Sequence, residues 1–375
     1  MSPEPFRIAI DASRSTQSNP TGTETYARRL IQALIAANER ANAPAQFSLY
    51  FRDPSPSELY AKSANVEEIY IPFPRLWTHL RLAAELWKSQ PDITFVPAHT
   101  LPIAFPGRAI VTVHDLGFKR FPDAHPPAQR AYLDATTRYS QGRADRIFAD
   151  SQATASDLVR YYRTPENKIR VIYPGVDTAH LKTTAEAIES VRAKYQLPGR
   201  YFLFIGTLQP RKNIKRIVQA FVQWQRNCDD DKTTLVLAGE EGWLYDGAWL
   251  EGARQVRLTG YVSAVDKAAL LAGAIALVFP SLYEGFGFPA VEAMVAGTPV
   301  IASNTSSLAE IVGENGLLVD PLNVKSIATA MRSISDDEQF RQNLIHKGFQ
   351  RANRFSWGSA AEQAMNAFRE LGAPD

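Results

Sequence analysis

The chain has 375 residues, too many for one ordinary core and suited to two domains. Its 45% apolar and 21% charged content describes a globular protein, and 41 basic against 39 acidic side chains leave a net charge of +2, too weak a field to recruit nucleic acid. The single cysteine, Cys228, excludes an internal disulfide framework and a multi-cysteine zinc site, and its polar surroundings after Trp224 read as a surface thiol.

The first residues lead straight into a strand-like run, Arg7–Asp11, with no charged-then-apolar leader. No window approaches the roughly 18 consecutive apolar residues that a membrane span needs, so a cytoplasmic location is expected. Up to about Tyr173, apolar strands alternate with amphipathic stretches, the pattern of a parallel sheet covered by helices. The strands are expected at Arg7–Asp11, Gln46–Phe51, Val66–Ile71, Ile93–Val96, Ala109–His114, Arg146–Ala149 and Ile169–Ile172. Helices are expected near Thr23–Ala37, Trp77–Ser89, Gln129–Gly142 and Ser151–Tyr162, with Ser151 as an amino-terminal cap.

Within the second of these helices, Arg75 to Lys88 mixes basic residues with Trp77 and Trp87. We read it as a core-facing apolar stripe with exposed charges; weak peripheral attachment to an anionic bilayer is the alternative.

After Pro174-Gly175-Val176-Asp177 a polar, less patterned stretch runs to about Pro198-Gly199, the expected linker. The alternation then restarts at Tyr201–Ile205 and continues through Thr234–Ala238, Val256–Thr259, Ala276–Phe279, Val300–Ala302 and Gly316–Val319. A last helix is expected from Trp357 to about Leu371. The organisation expected is therefore α/β, with a domain over 1–178, a linker over 179–198, a second domain over 199–356 and a terminal segment over 357–375.

The most informative segment runs from Pro280 to Glu292. An apolar strand ends before it, Gly285 and Gly287 break the chain, and helical periodicity follows with Pro289 tolerated in the first turn. Glu284 is thus expected in the loop at a strand's carboxyl end and Glu292 about a turn into the next helix. A carboxylate accepts paired hydrogen bonds from vicinal hydroxyls, and the glycines let backbone approach a ligand. Two glutamates near a helix start can equally be macrodipole partners and solvated charges.

Gly206 opens a second loop, Gly206-Thr207-Leu208-Gln209-Pro210-Arg211-Lys212-Asn213, also between strand and helix. Arg211 and Lys212 at a helix start suit a diphosphate, although Arg-Lys pairs are also common surface features. In the first half, Asn19 to Tyr26 joins strand to helix: Gly22 could offer amides to phosphate, or the segment is an ordinary loop with Thr23 capping the helix. His114 and Asp115 lie just beyond a buried strand, and His99 is a weaker candidate of the same kind. Residues 238–242 and 259–263, the latter containing Val262, each end a strand where backbone can read a base edge.

The Glu-x7-Glu segment resembles the signature of the retaining glycosyltransferases of family 4, and 206–213 resembles their phosphate-gripping loop. The resemblance implies the GT-B architecture, two Rossmann-like domains with parallel sheets facing a central cleft, and a terminal helix crossing back onto the first domain. It implies a nucleoside diphosphate sugar as donor substrate, no permanently bound cofactor and no metal. Arg211 and Lys212 would neutralise the leaving diphosphate, and Glu284 would hold sugar hydroxyls with amides near Gly285, Phe286 and Gly287. Glu292 would bind the ribose, and the loop of Val262 the base. Gly22 and Gly206 would approach the phosphates, and His114 would meet the transferred sugar, with Asp115 orienting it or receiving an acceptor hydroxyl. Many family members carry two glycines where this chain has Thr21-Gly22.

The runs Thr112–Phe121 and Asp150–Asp177 are similar to bacterial mannosyltransferases, which favours GDP-mannose, with a UDP-sugar as the alternative donor. A glycan or lipid-linked acceptor is implied, and with it weak contact at the inner membrane face. Outside this class stand a non-catalytic two-lobed sugar-binding protein and a GT-B epimerase or phosphorylase. A dehydrogenase is disfavoured, because no Gly-x-Gly-x-x-Gly occurs.

Overall fold

A computed structural model of the chain describes residues 6–17, 21–41, 44–54, 59–197, 199–226, 228 and 232–372. The chain divides into two compact units: residues up to Lys119, Pro127–Gly175 and the stretch from Ser356 form the first, Arg120–Pro126 and Val176–Phe355 the second.

The first unit is built on seven parallel strands: β1 (Arg7–Asp11), β2 (Gln46–Phe51), β3 (Val66–Tyr70), β4 (Ile93–Val96), β5 (Arg108–Val113), β6 (Arg146–Ala149) and β7 (Ile169–Val171). Their order is 3-2-1-4-5-6-7, so the winding reverses between β1 and β4, where the loops leaving the carboxyl ends diverge to opposite faces. Runs such as Ile93–Val96 are buried at every position, as strands covered on both faces must be. The covering helices are α1 (Gly22–Glu39), α2 (Ala83–Ser89), the single turn α3 (Gly117–Arg120), α4 (Pro127–Arg143) and α5 (Gln152–Tyr162).

Three details of this unit depart from the sequence reading. α1 starts at Gly22 with Thr21 as its cap residue, so Thr23 is inside the helix and is not its cap. The expected helix Trp77–Ser89 is split: a π-helical turn over Trp77–Leu82 follows a left-handed Leu76 and precedes α2. Its apolar residues divide as well. Trp77, Leu82 and Leu86 are buried, Trp77 donating its indole N–H to the Ile71 carbonyl at 2.7 Å, whereas Leu76, Leu80 and Trp87 are exposed. The stripe is therefore only partly core-facing.

The second unit carries six parallel strands, β8 (Tyr201–Ile205), β9 (Thr234–Ala238), β10 (Val256–Gly260), β11 (Ala276–Phe279), β12 (Val300–Ser303) and β13 (Leu317–Val319), in the order 10-9-8-11-12-13. Here the reversal falls between β8 and β11. Its helices are α6 (Ala185–Lys194), α7 (Ile214–Gln225), α8 (Ala264–Ala272), α9 (Phe288–Val295), α10 (Ser306–Val312), α11 (Val324–Asp336) and α12 (Glu338–Ala352). α7 shows why such helices form: Ile214, Ile217, Val218, Phe221 and Trp224 recur at helical spacing and are all buried.

The segment read as a linker contributes α6, capped by Thr184 and tied to α8 through Asp266, which accepts from Lys194 Nζ at 2.6 Å and the Tyr195 hydroxyl at 2.8 Å. Cys228, expected at the surface, is half-buried against the core of this unit. Within the second unit, residues 120–126 pack as a strap, the Ala124 carbonyl accepting from Trp243 Nε1 at 2.6 Å.

The terminal helix α13 (Trp357–Gly372) belongs to the first unit and lies on α1. Ala360, Ala361, Ala364 and Ala367 keep the approach close, and Phe368 fills the gap against Phe95 and Phe148, with ring centroids 5.3 Å and 6.2 Å away. No helix among the described residues is long and apolar enough to cross a membrane.

Candidate active site

In the second unit the two loops that leave the switch point, after β8 and after β11, meet at a cluster of charge. The first loop turns through Gly206, at φ +142°, and a 3-10 turn over Pro210–Lys212. Asn213 then adopts a left-handed conformation that asparagine tolerates, and caps the start of α7. Its side-chain amide donates to the carbonyls of Pro280 at 2.9 Å and Pro321 at 2.7 Å, which pins this loop to the loops after β11 and β13.

The pinning brings Arg211 and Lys212 onto Glu284. Lys212 Nζ lies 2.6 Å from Glu284 Oε1, and Arg211 Nη1 lies 3.4 Å from Oε2 while donating to the Tyr283 carbonyl at 2.7 Å. Glu284 is only 7% exposed. Burial by itself would raise its carboxyl, but the charges of Lys212 and Arg211 outweigh burial and hold it below the ordinary glutamate range. Two cations gathered on one carboxylate at a strand-end loop are side chains of the kind that grip a diphosphate.

The rest of the β11–α9 loop is shaped from behind. Ser307 places its hydroxyl 2.9 Å from the carbonyl oxygens of both Glu284 and Phe286, and the Glu284 amide donates to the Ser306 hydroxyl at 3.2 Å. Gly287 sits at φ +106°, and a Cβ there would stand 2.5 Å from Leu308 Cδ2, so only glycine fits. The Phe286 ring is buried against Phe288 and Phe355, so any ligand contact at Gly285 to Gly287 falls to backbone. Glu292 is in the second turn of α9, where Lys267 Nζ meets its carboxylate at 2.6 Å. Val262, in the loop after β10, is half-buried on the core just before Ser263 caps α8.

Three residues of this unit escaped the sequence reading. Asn213 reads as an ordinary helix cap, and Lys267 as a solvated charge on α8. Gln209 is 3% exposed, and its Oε1 has no hydrogen-bond partner among the described residues, which leaves an acceptor beside the cations.

In the first unit, Gly22 opens α1, and the Thr21 amide donates to the Glu24 carboxylate at 3.1 Å, with the Thr21 hydroxyl also on that carboxylate. Residues 19 and 20 of the expected loop lie outside the described residues. His114 follows β5 and is 9% exposed, and Asp115 turns back to accept from the Gly117 amide at 2.7 Å. Asp150, at the end of β6, approaches His114 Nδ1 to 2.7 Å, and the His114 amide donates to His99 Nε2 at 3.0 Å. The structure thus brings His99 and His114 together and adds Asp150, which opens the run similar to bacterial mannosyltransferases but had no role assigned from sequence. Among the described residues no group of His, Cys, Asp or Glu side chains is arranged to hold a metal ion.

Two family models match the chain, Glycosyltransferase Family 4 over residues 20–180 and Glycosyl transferases group 1 over residues 188–351. The O-antigen chain mannosyltransferase B of Escherichia coli is 34% identical over 270 residues, 70% of this chain and 71% of that protein. The serotype-specific mannosyltransferase WbdA of Escherichia coli is 31% identical over 256 residues, 66% of this chain but 31% of the relative. Among solved structures, sucrose-phosphate synthase from Thermosynechococcus elongatus superposes with a TM-score of 0.75 at 25% identity, covering 97% of this chain and 98% of that one. A group 1, family 4 glycosyltransferase of the GT-B fold, the chain is a nucleotide-sugar-dependent hexosyltransferase.

Proposed function

We propose that the chain transfers mannose from GDP-mannose, with retention of configuration, to a hydroxyl of a glycan or lipid-linked acceptor. The observation that carries the donor side is the buried cluster of Lys212, Arg211 and Glu284 at the switch point of the second sheet. The preference for mannose rests on the similarity to the two Escherichia coli mannosyltransferases.

In this reading Arg211 and Lys212 neutralise charge that develops on the leaving diphosphate, a contribution of several kcal/mol, about 3 or more, where water is excluded. Glu284, released from part of its ion pairing by the incoming phosphates, accepts from sugar hydroxyls, and the amides of Gly285, Phe286 and Gly287 assist. Glu292 accepts from the ribose, and backbone near Val262 reads the base. Gly206 leaves room for phosphate, and the roles that the family resemblance implies for the first unit are phosphate for Gly22, the transferred sugar for His114 and the acceptor for Asp115. The donor phosphate takes the acceptor proton in a same-face attack, so no covalent nucleophile and no metal is required. The enzyme would act in the cytoplasm, with the exposed Leu76, Leu80 and Trp87 in weak contact with the inner membrane face.

Turnover of GDP-mannose, GDP-glucose, UDP-glucose and UDP-galactose with polyprenyl-linked and free glycan acceptors tests this assignment. Mannosyl transfer from the GDP-sugar alone supports it. Preference for a UDP-sugar overturns the donor, and ligand binding without any transfer points to the non-catalytic sugar-binding alternative.

A further inference from the structure

We propose that Asp150 is a positioning residue that holds His114 as an imidazolium, so that His114 acts as a fixed cation and not as a proton acceptor. The catalytic consequence rests on the transferase reading above, whereas the charge state does not.

The two ring nitrogens of His114 each face an oxygen. Nδ1 is 2.7 Å from Asp150 Oδ2, and Nε2 is 3.3 Å from the Pro97 carbonyl oxygen. Both partners accept hydrogen bonds. With Asp150 ionised, a neutral imidazole, which has one N–H, would set lone pair against lone pair at one of these contacts; the imidazolium satisfies both. Burial alone would lower the basicity of His114, but the Asp150 carboxylate and its hydrogen bond outweigh it and hold the ring above the ordinary histidine value. Asp150 is 3% exposed, and its Oδ1 has no hydrogen-bond partner among the described residues. Burial raises its carboxyl, and the charge of His114 opposes that rise.

The neighbouring imidazole takes the opposite state. His99 Nε2 accepts the His114 amide at 3.0 Å, which keeps that nitrogen unprotonated. The ring centroids are 5.4 Å apart, and burial together with the charge of His114 pushes His99 down to about 4. Two imidazoles beyond the ends of neighbouring strands, β4 and β5, are thereby split into a cation and a neutral ring.

The groups packed around His114 fit this split, except that the charge of Asp115 also draws His99 upward, against burial and the charge of His114. Tyr26 of α1 meets its ring edge to face at 4.7 Å, and Trp357 of α13 stands behind Tyr26 at 5.8 Å. Thr154 of α5 donates to the His114 carbonyl at 3.1 Å. Asp115 adds a second negative charge that favours the cation, and Arg14, after β1, disfavours charge on His99.

The test is a long-range nitrogen-proton spectrum of histidine-labelled protein without donor at about pH 7.5, where an unperturbed histidine is neutral. The six histidines are assigned through single His→Gln variants. The proposal expects the imidazolium pattern for His114, the Nδ1–H neutral pattern for His99, and conversion of His114 to a neutral ring in Asp150→Asn, which keeps shape but removes charge. In turnover, Asp150→Asn should lower kcat about 100-fold with the donor KM within about threefold, and bring an alkaline loss of rate down toward neutral pH. A neutral His114 in the unaltered protein, or an imidazolium that survives Asp150→Asn, overturns the proposal. If Asp150→Asn does not fold, the spectrum of the unaltered protein decides alone. Absence of transfer from every sugar donor, with the spectra as expected, would sink the transferase reading and leave this one standing.

Discussion

Each unit buries a charge pair at the carboxyl ends of its parallel strands, and the two solve the problem in different currencies. In the second unit a single carboxylate, Glu284, is set against Lys212 and Arg211, cations that do not change state near neutral pH. In the first, Asp150 is set against His114, whose ordinary titration lies within the physiological range. Burial is similar, so the difference teaches that the partner's chemistry decides which site responds to alkali and which only to acid.

The largest expected effect breaks the second-unit pair. Lys212→Met should lower the transfer rate about 100-fold to 1,000-fold. It should also destabilise the unit by about 3 kcal/mol, because Glu284 loses its 2.6 Å partner and stays buried. Adding Glu284→Gln to Lys212→Met removes the stranded charge and should recover most of the stability while leaving the rate low. Chemical denaturation of the four proteins in this cycle, beside their turnover, measures both; full recovery of rate would reduce the pair to a structural role.

The next effect sharpens the contrast in pH. Glu284 titrates lower folded than unfolded, so its contribution to stability is present above the unfolded glutamate value and is lost as pH falls through the depressed folded one. His114 titrates higher folded than unfolded, so its contribution is present at pH below the unfolded histidine value and is lost as pH rises through the folded one. Denaturant unfolding as a function of pH should show that Glu284→Gln flattens the acid side and His114→Gln the alkaline side. A variant that altered the opposite limb would contradict the assignment of charge.

Much of the fold was legible, because fully buried parallel strands print long apolar runs and their helices print a 3.6-residue period. Every strand expected is found, within a residue or so at its ends. Local chemistry was less readable. The split of Trp77–Ser89 into a π turn and α2 follows from a left-handed Leu76, a backbone state that leucine does not advertise. α6 was hidden because it buries little beyond Val191. Among the candidate residues, Arg211, Lys212 and Glu284 announced themselves by chemical type at strand ends. Asp150 and Lys267 did not, since each acts on a side chain distant in sequence, 36 and 25 residues away. Phe286 was read for its backbone amide alone, and its ring belongs to the core.

The most direct test is calorimetric binding of GDP, without sugar or acceptor, to the unaltered protein and to Lys212→Met. Lys212→Met should weaken GDP binding at least about tenfold, since one charge-assisted contact to phosphate is worth about 1.5 to 3 kcal/mol. Equal affinity of both proteins for GDP would contradict it, because the diphosphate would then be held somewhere other than the loop of Arg211 and Lys212.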